Sequence, residues 1–89
     1  MHEFTVVLNL LKILDKICEE KKAERVLNIN IKINPYSCLD EDNLNFVFSS
    51  MSKGRKIYEG AKINVKKGKD PLMREIIVEN IEIEVKNGN

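Results

Sequence analysis

Tryptophan is missing from this chain of 89 residues, histidine occurs once, cysteine and proline twice each, and glycine four times. Each scarcity removes a class of function. With its one imidazole at position two, the chain assembles no Ser-His-Asp set, and its dispersed glycines make no phosphate-cradling loop, so an enzyme is not expected. Cys18 and Cys38 are too few and too far apart for a disulfide framework. Neither belongs to a C-x-x-C pair, so no structural zinc site is written in the chain. Lys and Arg number 15 against 14 Asp and Glu, which leaves no net field to draw nucleic acid or an anionic membrane. Phe4, Tyr36, Phe46, Phe48 and Tyr58 are too scattered for a base-stacking platform. No run approaches the ~20 apolar residues of a membrane span. Met1-His2-Glu3 carries an acid where a signal peptide carries base, which points to the cytoplasm.

What remains is a composition of 43% hydrophobic and 33% charged residues, suited to one globular domain over residues 1–89. A domain this small buries only about 60–65% of its unfolded surface, so its stability margin is thin.

From Glu3 to about Lys22, Phe4, Val7, Leu8, Leu11, Leu14, Ile17 and Cys18 recur at helical steps and predict a first helix. From about Arg25 to Asn34, Leu27, Ile29, Ile31 and Ile33 alternate with Asn28, Asn30, Lys32 and Asn34, the mark of a half-buried strand. Pro35 stops it and opens a loop through Tyr36, Ser37 and Cys38. Asp40 is placed to cap a second helix carrying Leu44, Val47, Phe48 and Met51, with Gly54 ending it in the left-handed region. Ala61, Ile63 and Val65 alternate with Lys62, Asn64 and Lys66 in a second strand.

After a polar turn at Lys67-Gly68-Lys69-Asp70-Pro71, a third strand follows. Ile76 and Val78 share one parity there, and Ile81, Ile83 and Val85 the other. A β-bulge near Glu79-Asn80 reconciles the halves, and a frayed tail is expected from Lys86. The order α-β-α-β-β predicts an α+β two-layer sandwich, a three-stranded sheet with two helices on one face. A sheet this narrow has an edge able to pair with another copy, so a homodimer is open.

The chemistry sits at the start. A free amine followed by His at position two closes a five-membered chelate ring through the His2 amide nitrogen and a six-membered ring through the His2 imidazole Nδ1. Glu3 can complete a planar set of the kind Ni(II) and Cu(II) prefer over Zn(II). The amine titrates near 7.7–8 and imidazole near 6.5 in model peptides, so protons compete with metal near neutrality. Read by itself, a His near a chain start is more often idle and solvated.

The opening Met1-His2-Glu3-Phe4-Thr5-Val6-Val7, running straight into an amphipathic helix, resembles the Met-His-Glu start of the HypA/HybF family of hydrogenase nickel-insertion proteins. Arg25-Val26 before the strand, Ser37-Cys38-Leu39-Asp40 before the second helix and Leu44-Asn45-Phe46-Val47-Phe48 follow the family's order. So do Tyr58-Glu59-Gly60-Ala61-Lys62-Ile63 and the closing stretch from Arg74 to Glu84. The resemblance implies a metallochaperone binding Ni(II) through Met1, His2 and Glu3, with Asp40 close to the metal as ligand or orienting group. It also implies protein partners, a HypB-type GTPase and the precursor of a NiFe hydrogenase large subunit. The family carries two C-x-x-C pairs in a zinc-binding insert between the second and third strands. Lys66 to Asp70 stands there in this chain, so zinc is not expected and a plain hairpin turn is.

Three further readings stay beside this one. Cys38, two residues before Asp40, can supply a soft ligand or be a loop thiol without a role. The chain can be a metal-free adaptor that keeps only a docking surface. A small RNA-binding domain rests on fold analogy and exposed lysines alone.

Overall fold

The structure is a computed structural model and describes residues 3–86. The elements are α1 (Glu3–Lys21), β1 (Ala23–Ile33), α2 (Glu41–Met51), a single 3-10 turn (Lys56–Tyr58), β2 (Lys62–Lys67) and β3 (Ile76–Val85). They form the expected two-layer α+β sandwich in the expected order, with both helices on one face of a three-stranded sheet. Met1, His2 and the end of the expected frayed tail lie outside the described residues.

α1 buries Val6, Val7, Leu10, Leu11, Leu14 and Cys18. The expected stripe is therefore rotated, because Phe4 is 59% and Leu8 37% exposed. Apolar residues cover more than half of this helix's circumference, and periodicity cannot say which part of so wide a stripe the sheet will take. Lys22, at φ 54°, reverses the chain from α1 into β1. That left-handed conformation strains a residue with a Cβ.

β1 begins two residues earlier than the alternation suggests and buries Val26 rather than Leu27. Its pairing with β3 slips between Val26 and Asn28, so Leu27 is the extra residue of a bulge, invisible to a strict two-residue period. The bulge expected near Glu79-Asn80 is present: Asn30 faces Asn80 while Ile31 faces Val78.

α2 ends at Met51, with Ser52 closing it by donating its backbone N–H and its hydroxyl to the Phe48 carbonyl. Gly54 does take a positive φ, 85°, but in the turn beyond. The residues before β2 are more than a connection. They fold into the 3-10 turn that buries Tyr58 edge-on against Phe48, ring centroids 5.7 Å apart.

The plain hairpin between the second and third strands is not what forms. The sheet order is β2-β1-β3, with β2 parallel and β3 antiparallel to β1. β1-α2-β2 is a crossover unit, and the connection from Lys67 to Ile76 must pass across the end of β1. Gly68 makes that passage possible. Its N–H donates to the Ile33 carbonyl at 2.7 Å, and a Cβ there would run into the Met73 thioether. Asn34 pins the far side, its amide nitrogen donating to the carbonyls of Pro71 and Met73, each at 3.0 Å. The stretch that reads as a hairpin turn thus starts a crossing, because β3 pairs with β1 while α2 side chains take the outer backbone of β2.

Candidate functional site

The tight reversal at Lys22 runs α1 back along β1, so Glu3 stands at the end of the sheet where Ile33 closes β1. α2 begins at the same end. Its first-turn residue Glu41 accepts from the backbone N–H of Val65 at 2.7 Å, and Val65 is paired with Ile31. One turn on, Asn45 grips Ile63 from both sides, its oxygen accepting from the Ile63 N–H at 2.8 Å and its nitrogen donating to the Ile63 carbonyl at 2.9 Å. The starts of both helices are thereby fixed at one end of the molecule.

Asp40 caps α2 as the sequence predicts. Its backbone is extended and its carboxylate accepts from the Asn43 N–H at 3.0 Å, which satisfies one of the orphan donors of the first turn. The loop leading to it is ordered by short-range bonds. Tyr36 donates its N–H to the Asn34 side chain, Ser37 to the Asn34 carbonyl, and Leu39 to the Ser37 hydroxyl. Leu39 is buried as the anchor, while Cys38 and Asp40 on either side are exposed. Asp40, Cys38 and Glu3 therefore share one end of the fold and remain accessible to a partner or an ion. Among the described residues, no three His, Cys, Asp or Glu side chains converge to hold a metal. Glu3, half-buried at the head of α1, is the one described residue of the Met-His-Glu tip.

A second polar cluster, which sequence reading did not single out, joins α1 to the 3-10 turn. Asp15 accepts from Arg55 at 2.6 Å and from the Tyr58 hydroxyl at 2.5 Å, and Arg55 also lies 4.8 Å over the Tyr58 ring. Arg55 holds the Asp15 carboxyl below its usual range. Burial, with the bond to Asp15, pushes the Tyr58 hydroxyl up. Burial likewise pushes up the thiol of Cys18, which packs in the core and is not a reactive centre. These contacts span 40 and 43 residues, a separation at which no sequence spacing rule applies.

The geometry supplies an accessible end with a fixed helix head and a cap carboxylate beside an exposed thiol. A family profile described as hydrogenase/urease nickel incorporation, metallochaperone, hypA, matches residues 1–74. The chain belongs to the HypA family. Hydrogenase maturation factor HypA of Actinobacillus succinogenes is 31% identical over 64 residues, 72% of this chain and 56% of that protein. The HypA of Archaeoglobus fulgidus is 31% identical over 65 residues, 73% of this chain and 58% of its own. The HypA of Escherichia coli K12 is 29% identical over 65 residues, 73% and 55%. The chain thus spans about half the length of these HypA relatives. The solution structure of the Ni metallochaperone HypA from Helicobacter pylori superposes with a TM-score of 0.78 at 14% identity, over 97% of this chain and 100% of that one. At that identity the likeness concerns the HypA fold alone.

Proposed function

We propose that this chain is a nickel metallochaperone for maturation of a NiFe hydrogenase, a single nickel-binding domain that carries Ni(II) as cargo at Met1, His2 and Glu3. The observation that carries the reading is the HypA profile match beginning at residue 1, which takes in the Met-His-Glu tip. The chemistry of the donors agrees with it. Two nitrogens from the first two residues' backbone and one from imidazole form fused chelate rings, and strong-field planar nitrogen sets suit Ni(II). Glu3, the third residue of the tip, is also the first residue of the 19-residue helix α1. Asp40, at the same end, orients the tip or lends an oxygen ligand, and Cys38 stands near enough in sequence to assist transfer.

Uptake requires deprotonated donors, so nickel should be held near neutrality and released on mild acidification. The chain performs no catalysis in this reading. It would hand its ion to the precursor of the hydrogenase large subunit, in company with a HypB-type GTPase, without zinc, and in the cytoplasm. No helix of the described residues is long and apolar enough to cross a membrane.

Calorimetric titration of Ni(II) into the native protein, His2→Ala and Asp40→Ala tests the assignment. Tight one-to-one binding lost in His2→Ala and weakened in Asp40→Ala is the expected pattern. Equal affinity in all three proteins would remove the tip from the function.

The stretch Lys66 to Asp70, which holds no C-x-x-C pair where the family carries two, favours one other reading, an adaptor that docks but carries no metal. Partner pulldown that survives His2→Ala, with nickel affinity weaker than roughly millimolar, would support it.

A further inference from the structure

The two outer edges of the sheet are treated differently. On β2, the side chains of α2 occupy the outward backbone: Asn45 takes both the N–H and the carbonyl of Ile63, and Glu41 takes the N–H of Val65. That edge is closed by its own chain. On β3 no such cover exists, and among the described residues no side chain or loop bonds the outer backbone of Ile76–Val85. A ten-residue edge with unpaired N–H and carbonyl groups is a template for another strand.

The flanks of this edge say what kind of strand fits. On the helix side, α1 lies over β1 and stops short of β3, leaving an open groove of about 280 Å³ between Val6, Leu10 and Ile13 of α1 and Ile76 and Val78 of β3. Ile13 is 44% exposed there, and Ile81 and Ile83 further along are only partly covered. The open side of β3 is acidic, with Glu79, Glu82 and Glu84 and no Lys or Arg between Ile76 and Val85. Glu79 is paired with Lys32 at 3.2 Å and lies 3.8 Å from Lys66. Glu82 and Glu84 have no ion-pair partner among the described residues. A second copy of the chain adding its own β3 would bring two acidic strands side by side, and like charges across a strand pair destabilise it.

We propose that the β3 edge accepts an extended segment of a partner protein in which basic and apolar residues alternate. Backbone pairing supplies the affinity, the apolar residues enter the groove beside Ile13, and the basic residues meet Glu82 and Glu84. The period of two in the incoming strand places each kind on its own side. This surface does not depend on nickel.

Titration of the metal-free, 15N-labelled full chain with an eight-residue peptide alternating lysine and valine tests it by NMR. The expected result is amide shifts and slowed hydrogen exchange concentrated in Ile76–Val85. Binding should weaken about tenfold in the Glu82→Lys/Glu84→Lys double variant and comparably in Ile13→Asp, and weaken with added salt. Far-UV circular dichroism checks that both variants stay folded. Equal binding of a glutamate–valine peptide, shifts outside β3, or no binding at roughly millimolar peptide would each overturn the proposal. So would protected β3 amides in a peptide-free dimer seen by sedimentation, which would make the occupant a second copy.

Discussion

The carboxylate of Asp15, midway along α1, accepts from the hydroxyl of Tyr58 at 2.5 Å and ties the first helix to the turn that precedes β2. The same carboxylate holds Arg55. Because Arg55 depresses the Asp15 pKa, the stability this ion pair contributes is present above the unfolded carboxylate's value and lost as pH falls through the lower folded one. Both side chains are nearly half exposed, 47% and 46%, so solvent screens the gain. Asp15→Asn should lower the melting temperature at pH 7, and the gap to the native protein should narrow as pH falls below about 4. A gap that stays constant over that range would remove the ion pair from the stability.

Tyr58 carries the opposite sign. Its raised pKa means that its contribution is intact below about pH 10, the unfolded phenol's value, and declines as pH climbs beyond it. Melting curves of native protein and Tyr58→Phe should converge above pH 10. Parallel curves there would show that the hydroxyl's environment does not resist ionisation.

Gly68 is favoured by close approach rather than by backbone angle. Gly68→Ala would drive a methyl group against the Met73 sulfur and within 3.3 Å of the Ile33 carbonyl, an overpacking expected to cost about 1–3 kcal/mol in urea unfolding. The thioether is the nearer obstacle, so adding Met73→Ala should recover part of the loss in a double-mutant cycle. Strict additivity of the two changes would contradict a direct clash.

Asn45→Ala removes both bonds that close the β2 edge at Ile63. Leaving a half-buried N–H and carbonyl unpaired should cost about 1–3 kcal/mol, with faster exchange of the Ile63 amide. Unchanged exchange at Ile63 would mean that α2 does not guard this edge.

Much of the fold could be read from residue pattern, and the failures have identifiable causes. The Asp40 cap and the bulge at Glu79 are local events, set by one side chain bonding three residues on and by a parity change, and both appear in the sequence. Leu27 departs from the alternation because a bulge shifts parity without leaving a change of composition. The hairpin expected at Lys66–Asp70 does not form because strand neighbours are chosen by tertiary packing, and nothing near Gly68 announces that β3 pairs with β1 instead of β2. For the site, Asp40 and Glu3 fall at one end of the fold. Asn45, Glu41 and the Asp15–Arg55–Tyr58 cluster act across 18, 24 and 40 or more residues, and a polar residue in mid-helix was the one hint that Asn45 had a partner.

The account rests on a chelating tip at the head of α1, and the visible absorption of Ni(II) added to the protein with its α-amine free or acetylated addresses that tip directly. With the amine free, a square-planar d–d band should grow to one equivalent at pH 7.5 and fade on acidification towards about pH 6, where amine and imidazole take up protons. Acetylation should abolish it. An identical band in the acetylated protein would contradict the account, because the ion would then be held somewhere other than the first residues of the chain.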